Sequence, residues 1–289
     1  MAQESEKTMQ KPDWLRVRYS DAENRETVEK ILESLNLNTV CREAHCPNYL
    51  ECFANKTATF IILGTNCTRN CRFCNVSYDT PSPIDLNEPE NIATAVKELE
   101  LQYVVVTSVT RDDLPDGGAG HFAKVIRAIK KHSPRAAIEV LIPDFGGNLD
   151  ALKIVTDAHP AVISHNMETV KSLYNDVRPE AEYKRSLDLL KSIKSFNNDI
   201  RSKSGIMVGL GETKEQVCEL FDDLREVGCE FLTIGQYLAP TKAHFPIKEY
   251  IEPSQFDEYG KIAKAKGFEF VASAPLVRSS YHASEALKD

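Results

Sequence analysis

The chain has 289 residues, 42% of them hydrophobic, enough for one large α/β domain with a real core or for two small ones. A formal charge of −8 and a pI near 5.5 exclude a general nucleic-acid binder, which needs a basic face, while leaving room for a local basic patch. No apolar run approaches the ~20 residues of a membrane span, and MAQESEKTMQ lacks the apolar centre of a secretory signal, so a cytoplasmic location without membrane or nucleic-acid partners is expected.

Residues 1–12 are polar. KPDWLRVRY then brings the only tryptophan, Trp14, with Arg16 and Arg18, ahead of a helix expected from about Ala22 to Leu35. This arm would either clamp over a site or simply pack on the fold. TVCREAHCPNYLEC follows with Cys41, Cys46 and Cys52 in a Cys-x4-Cys-x5-Cys spacing. A zinc site that adds His45 is a rival reading, but His45 adjoins Cys46, and adjacent residues rarely point at one ion.

An apolar run then ends at Gly64 and opens into Cys67, Cys71 and Cys74. Cys-x3-Cys-x2-Cys is too tight and asymmetric for most structural zinc sites, which are closed by four ligands. A 4Fe-4S cluster normally takes four thiolates, so three thiols leave one iron open to a substrate. Six of the eight cysteines fall in these two triplets, which favours cluster or metal ligation over disulfides in a reducing compartment. Cys218 and Cys229 stand apart, and packing accounts for them.

Beyond Gly64 the chain alternates. Strand-like apolar runs near Thr59 to Leu63, Tyr103 to Thr107, Ala137 to Ile142, Ala161 to Ser164, Ser204 to Val208 and Phe231 to Ile234 are separated by amphipathic helical patterns. Such a pattern indicates a parallel sheet buried on both faces. Six units predict an α/β fold of the partial (β/α)6 TIM-type barrel kind, two units short of a full barrel. A seventh run, Phe268 to Ser273, is expected in a C-terminal extension. The expected division is 1–56 (N-terminal extension), 57–250 (barrel) and 251–289 (C-terminal extension), all in one structural unit.

In such barrels the site is built from loops after the strands. The segments SVTRDDLPDGGA, DFGG, HNMETV, GLGE and GQYLAPTKAH fall there. Gly117, Gly118, Gly146 and Gly147 would serve turns and Asp144 would cap a helix, but charged and amide residues accumulate on the same rim.

The CTRNCRFC loop resembles that of the radical S-adenosylmethionine (SAM) superfamily. With the upstream triplet and the segments ATFIILG, SVTRDDLPDGGA, HNMETV, KSGIMVGLGE, IGQYLAPT and VRSSYHA, the chain resembles the lipoyl synthase family over about Lys11 to Ala283. The resemblance implies that Cys67, Cys71 and Cys74 hold a 4Fe-4S cluster whose fourth iron is chelated by SAM. An electron then cleaves the sulfonium to a 5′-deoxyadenosyl radical. It also implies an auxiliary 4Fe-4S cluster on Cys41, Cys46 and Cys52, with Ser280 of the RSSY segment as its labile fourth ligand. Phe73 would lie near the adenine, and Thr107 and Ser108 near the amino end of methionine. Asn166 and Glu168 with Arg178 would meet carboxylate and ribose, and the backbone from Gly209 to Gly211 would approach the nucleoside. For Arg178, pairing with Asp176 or Glu180 on a solvated face is the rival reading.

The implied activity is that of a sulfurtransferase. It inserts sulfur at C6 and C8 of an octanoyl-lysine group, consuming two SAM and the sulfur of the auxiliary cluster, and gives 5′-deoxyadenosine and methionine. The implied partners are an octanoylated lipoyl carrier domain, such as the glycine cleavage H protein or a 2-oxoacid dehydrogenase E2 subunit, and an electron donor such as ferredoxin or flavodoxin. A basic patch including Arg16, Arg18 and Lys56 would receive an acidic carrier. The rivals are a biotin synthase-type enzyme, against which the upstream triplet argues, and a non-catalytic two-cluster electron carrier, which has no need of a barrel.

Overall fold

The computed structural model describes residues 10–16, 23–43, 46, 48, 59–280 and 283–287. Helix α1 (Glu23–Ser34), strand β1 (Asn38–Thr39) and the short α2 (Val40–Glu43) precede the repeating part. There β2 (Thr59–Ile62) leads into the short strands β3 (Asn66–Cys67) and β4 (Ser77–Tyr78), and helices and strands then alternate. They are α3 (Glu88–Glu98), β5 (Tyr103–Ser108), α4 (Ala119–His132), β6 (Ala137–Leu141), α5 (Leu149–Thr156) and β7 (Val162–Ser164). After these come α6 (Tyr174–Val177), α7 (Tyr183–Phe196), β8 (Arg201–Val208), α8 (Lys214–Glu226), β9 (Phe231–Gln236), α9 (Pro253–Ala265) and β10 (Phe270–Ser273).

The reasons are local. The middle of β5, Val104 to Thr107, is β-branched and buried on both faces. In α4, Phe122, Val125, Ile126 and Ile129 recur at helical spacing and are fully buried, while Lys130, Lys131 and His132 face the negative end of the helix dipole. A capping box of Thr213 and Gln216 opens α8.

The main sheet runs β1-β2-β5-β6-β7-β8-β9-β10. Only β1 is antiparallel to its neighbour; the rest are parallel pairs, for which the helices supply the crossovers. This is the expected α/β barrel-type array. The run from Phe268 to Ser273 supplies its last strand: β10 pairs with β9 from Phe270↔Phe231 to Ser273↔Ile234. The cause is α9, whose buried Phe256, Tyr259 and Ala263 bring the chain back across the sheet. Phe221 of α8 meets Tyr259 and Phe268 edge-on, with ring centroids 6.3 Å and 6.2 Å away. Among the described residues the end strands β1 and β10 do not pair, and the sheet they bound is open. No helix among the described residues is long and apolar enough to cross a membrane.

Below the strand ends, three polar side chains close the interior. Tyr103, Glu139 and Lys203 share strand faces with Thr107, Leu141 and Gly205, which line the cavity described below. Lys203 Nζ lies 2.8 Å and 3.0 Å from the two Glu139 oxygens, both residues are 1% exposed, and Tyr103 Oη donates to Glu139 at 2.6 Å. Removing one member of a buried ion pair strands the other, at about 3–5 kcal/mol. Glu139→Leu is therefore expected to lose about that much in urea unfolding, and the double variant Glu139→Leu/Lys203→Met to recover most of it.

Candidate active site

The loop that carries Cys67, Cys71 and Cys74 begins at a strained turn. Leu63 takes a φ of 68° and Gly64 one of 93°, a region that costs a non-glycine residue about 1–3 kcal/mol. Both polar groups of Leu63 are held by buried side chains. Its N–H donates to Glu88 Oε2 at 3.0 Å and its carbonyl accepts from Arg111 Nη1 at 3.1 Å. The β3–β4 pair, Asn66↔Ser77 and Cys67↔Tyr78, then closes the base of the loop.

Between those strands every turn of the loop is tied to another loop. Arg69 makes two bonds to Asp112, Nε to Oδ2 at 2.7 Å and Nη2 to Oδ1 at 2.8 Å, and Nη2 also reaches Asp144 Oδ1 at 2.7 Å. Thr68 Oγ1 donates to the Thr110 carbonyl at 3.0 Å. The Asn70 N–H donates to Glu180 at 2.7 Å, and the Arg72 N–H to the Val177 carbonyl at 3.0 Å. His244 Nε2 donates to the Cys74 carbonyl at 3.1 Å. Cys67 Sγ accepts the N–H groups of Arg69 and Thr110 at 3.4 Å and 3.3 Å.

Cys67, Cys71 and Cys74 line one cavity of about 330 Å³ at the C-terminal ends of the strands. Burial pushes the Cys74 thiol up to about 12, and the neighbouring Cys71 and Cys67 push the same way. Burial likewise raises Cys71, against the lowering charge of Arg178. Thiols crowded in this way ionise readily only when cations sit among them, as in an iron–sulfur cluster. Among the described residues no three His, Cys, Asp or Glu side chains converge on one metal ion.

The same cavity is lined by Thr107, Ser108, Asn166, Glu168, Arg178 and Phe73, and the Arg178 side chain bonds to the Cys71 thiol. Thr107 Oγ1 is engaged by the Leu141 carbonyl at 2.9 Å. Ser108 Oγ, Asn166 Oδ1 and Arg178 Nε are buried and have no partner among the described residues. An unpaired buried polar atom is costly, and three of them in one cavity fit a polar ligand such as the methionine part of SAM. Glu168 has a φ of 66°, its carbonyl accepts the Met207 N–H at 2.8 Å, and its side chain accepts from Asn166 Nδ2 at 3.0 Å. Burial pushes its carboxyl up, against Arg178 and Asn166, which lower it.

Arg178 is not on a solvated face. It is 9% exposed. Nη1 donates to the carbonyls of Asn166 and Met167 at 2.8 Å and 3.3 Å and to Tyr174 Oη at 2.7 Å. None of these acceptors is a carboxylate, and Glu180 is engaged by the Asn70 N–H.

Gly209 and Gly211 are not among the residues that line the cavity. The N–H groups of Gly209 and Leu210 point at the Glu212 carboxylate, at 2.5 Å and 2.9 Å. With φ at 97°, a Cβ on Gly209 would stand 2.3 Å from Gln236 Nε2 and 2.4 Å from the Glu249 carbonyl. The glycine answers a packing need in this structure. Gln236, which does line the cavity, binds that loop from inside, donating to Glu249 at 3.0 Å and accepting from Ile251 at 2.8 Å.

Of the upstream triplet, Cys41 sits in α2, Cys46 is half-buried, and Cys52, like His45, lies outside the described residues. The end of α2 meets the cysteine loop, with Asn75 Nδ2 donating to the Glu43 carbonyl at 2.8 Å. The same segment meets the C-terminal one: Asn48 Nδ2 donates to the Leu276 carbonyl at 2.7 Å, and the Arg278 charge acts on Cys46, whose thiol burial pushes up. Arg278 and Ser279 line the cavity mouth; Ser280 is the half-buried turn residue that follows. Arg16 is exposed and paired with Asp13 at 2.9 Å, while Arg18 and Lys56 lie outside the described residues. Cys229 is fully buried, as packing requires.

The Radical SAM superfamily pattern matches residues 61–224. A lipoyl synthase of Alkaliphilus metalliredigens is 56% identical over 278 residues, covering 96% of each chain. One of Caldicellulosiruptor saccharolyticus is 58% identical over 278 residues, covering 96% of this chain and 98% of that one. The chain belongs to the lipoyl synthase family. It is thus a sulfurtransferase of the radical SAM superfamily, whose enzymes work with a 4Fe-4S cluster and SAM. Solved structures agree in fold alone. Streptococcus suis SuiB bound to S-adenosylmethionine matches with a TM-score of 0.55 at 12% identity, over 85% of this chain and 53% of that one. Methylornithine synthase (PylB) matches with a TM-score of 0.53 at 13% identity, over 92% and 82%.

Arg69, Asp112, Gln236 and Tyr174 are the site residues that spacing did not single out. The one signal in the sequence was an arginine inside a cysteine loop facing the acidic pair of SVTRDDLPDGGA. For Asp144, burial alone would push the carboxyl up; the Arg69 hydrogen bond and charge, with the Gly146 N–H, outweigh it and hold it down at about 2. An unfolded aspartate titrates near ~3.9. The folded value is the lower one, so this stability is fully present above ~3.9 and is lost as pH falls through the folded value. Wild-type protein is expected to lose about 2–3 kcal/mol through this group between roughly pH 5 and pH 2. Asp144→Asn should be less stable at neutral pH and less acid-sensitive by that amount, as read by urea unfolding along a pH series.

Proposed function

We propose that this protein builds lipoyl groups in place, inserting sulfur at C6 and C8 of an octanoyl chain attached to a lysine of a carrier domain. Cys67, Cys71 and Cys74 would hold the cluster that binds SAM. Cys41, Cys46 and Cys52, with Ser280, would hold the auxiliary one. When bound, these groups supply a carbon-centred oxidant for two C–H bonds, at the expense of two SAM, and the sulfur that replaces the hydrogens. What supports this reading above all is that Arg278 and Ser279 line the same cavity as the three thiols of the cysteine loop, while Asn48 bonds to Leu276 and Cys46 feels the Arg278 charge of that same C-terminal segment.

The chain's own part is to bind, orient and exclude water. Arg178 would meet the carboxylate of SAM, aided by the Asn166 amide. Ser108 would meet the amino end, where its hydroxyl otherwise has no partner among the described residues, and Thr107 stands beside it. Glu168 would accept from the ribose. Phe73, packed against Val177, Leu210, Tyr237 and Phe245, would cover the adenine. Gly209 would act at one remove, by letting the loop close on Gln236, and Gly211 by admitting the Lys248 side chain. The octanoyl arm would enter past Arg278 and Ser279, carried by a glycine cleavage H protein or a 2-oxoacid dehydrogenase E2 subunit. Ferredoxin or flavodoxin would deliver the electron.

The test is an anaerobic assay of reconstituted protein for 5′-deoxyadenosine and lipoyl product, with octanoylated carrier domain against free octanoic acid. Product from the carrier alone is expected. A protein that cleaves no SAM would instead be an electron carrier. Replacing Cys67, Cys71 or Cys74 by Ala should abolish 5′-deoxyadenosine formation and leave the auxiliary iron in place; zinc without iron at this loop would end the enzymatic reading. Ser280 carries a separate expectation. Oxygen suits iron less well than sulfur does, and a ligand that leaves readily opens a cluster to attack. Ser280→Ala should assemble both clusters and cleave SAM yet form little or no lipoyl product, whereas normal lipoyl yield would remove Ser280 from the ligand set.

A further inference from the structure

Four buried side chains form a line behind the cavity. His165, in the turn after β7, has Nδ1 2.9 Å from the Ile142 carbonyl oxygen and Nε2 2.9 Å from Ser186 Oγ of α7. Ser186 Oγ is 2.7 Å from Tyr174 Oη of α6. Tyr174 Oη accepts from Arg178 Nη1 at 2.7 Å. Ser186, His165 and Tyr174 are 0%, 1% and 2% exposed, so no solvent competes for these bonds.

The histidine end of the line determines every proton in it. A carbonyl oxygen only accepts, so His165 Nδ1 carries hydrogen. Burial and the Arg178 charge hold His165 down to about 4, so the ring is neutral and Nε2 offers a lone pair. Ser186 must then donate to Nε2, and with its single proton engaged it accepts from Tyr174. Tyr174, whose phenol burial keeps protonated, donates to Ser186 and has only lone pairs left for the guanidinium. At the other end, an arginine has no lone pair to offer. The arginine end, which can only donate, is compatible with the order that the neutral histidine end imposes.

We propose that Tyr174, Ser186 and His165 are positioning residues forming a proton-ordered chain that aims Arg178 into the cavity while giving it no carboxylate partner. A carboxylate would hold the guanidinium as firmly but would cancel its charge. Neutral acceptors hold it and leave the charge for something else. The other acceptors of Arg178 are the Asn166 and Met167 carbonyls and the Cys71 thiol, the Glu168 carboxylate acts on it through space without a hydrogen bond, and among the described residues its buried Nε has no partner. Tyr174 is itself fixed by Tyr183, edge-on at 5.3 Å. The identity of the anion rests on the reading above, in which it is the SAM carboxylate.

Two measurements test this separately. In 15N-histidine NMR of the full chain, His165 is expected as the Nδ1–H tautomer at neutral pH, with its Nε2 resonance moved in Ser186→Ala; an Nε2–H tautomer or a charged ring overturns the chain. In equilibrium binding of SAM to anaerobically reconstituted protein, Tyr174→Phe and Ser186→Ala should each weaken affinity by about tenfold. Arg178→Gln should weaken it at least as much, and adding Tyr174→Phe to it should cost nothing more. Independent, multiplying losses overturn the positioning role. An Arg178→Gln variant that binds SAM as wild type does overturns the ligand reading instead, and the tautomer still decides the chain.

Discussion

The site depends on one guanidinium. Arg69 lies in the middle of the cysteine loop, 7% of its side chain exposed, and is shared by Asp112 after β5 and the fully buried Asp144 after β6. Removing such charges from water is costly, and the cost is recovered only when geometry and additional hydrogen bonds are good. Here Asp112 is bidentate, and Asp144 also accepts the Gly146 N–H at 3.0 Å. The result is that three loops with no sequence proximity share one ionic centre. A loop bearing three thiols has little of its own to hold it in shape, since its residues form almost no regular structure between β3 and β4. Its shape is borrowed from its neighbours.

The same economy of charge governs the polar lining of the cavity. Arg178 and Glu168 line it together with the thiols, yet they are not each other's hydrogen-bond partners. Glu168 is held by Asn166 in a left-handed backbone conformation, and Arg178 by carbonyls and Tyr174. Side chains kept apart in this way remain available to a ligand. Beneath them, the Tyr103–Glu139–Lys203 cluster is fully paired and closes the interior. Paired charges form the floor and unpaired polar atoms line the site, a division that separates stability from binding.

At the mouth, segments far apart in sequence are brought side by side. Asn48 and Leu276 are bonded across 228 positions, and Cys46 lies within the field of Arg278. Strand β10, paired in parallel with β9, leads into the segment whose Arg278 and Ser279 line the cavity. Without that pairing, nothing would carry this segment to the cavity.

The sequence by itself determined the spacing of the three cysteines in one loop, the strand–helix alternation and the strand ends where polar residues gather. All three are local: a cysteine spacing belongs to one loop, and a doubly buried strand or an amphipathic helix is written in its own periodicity. In α4 (Ala119–His132), Phe122, Val125, Ile126 and Ile129 form such a pattern. Only the tertiary structure decided how Arg178 is partnered, since a surface pairing with Asp176 or Glu180 and a buried bond to Tyr174 are equally compatible with the order of residues. It also decided that Gly209 yields space to Gln236 and Glu249, that Arg69 joins Asp112 to Asp144, and that β10 finds β9. These contacts join groups that lie close in space only after the sheet has formed, and no pattern within a single segment encodes which distant side chain will fill a given gap.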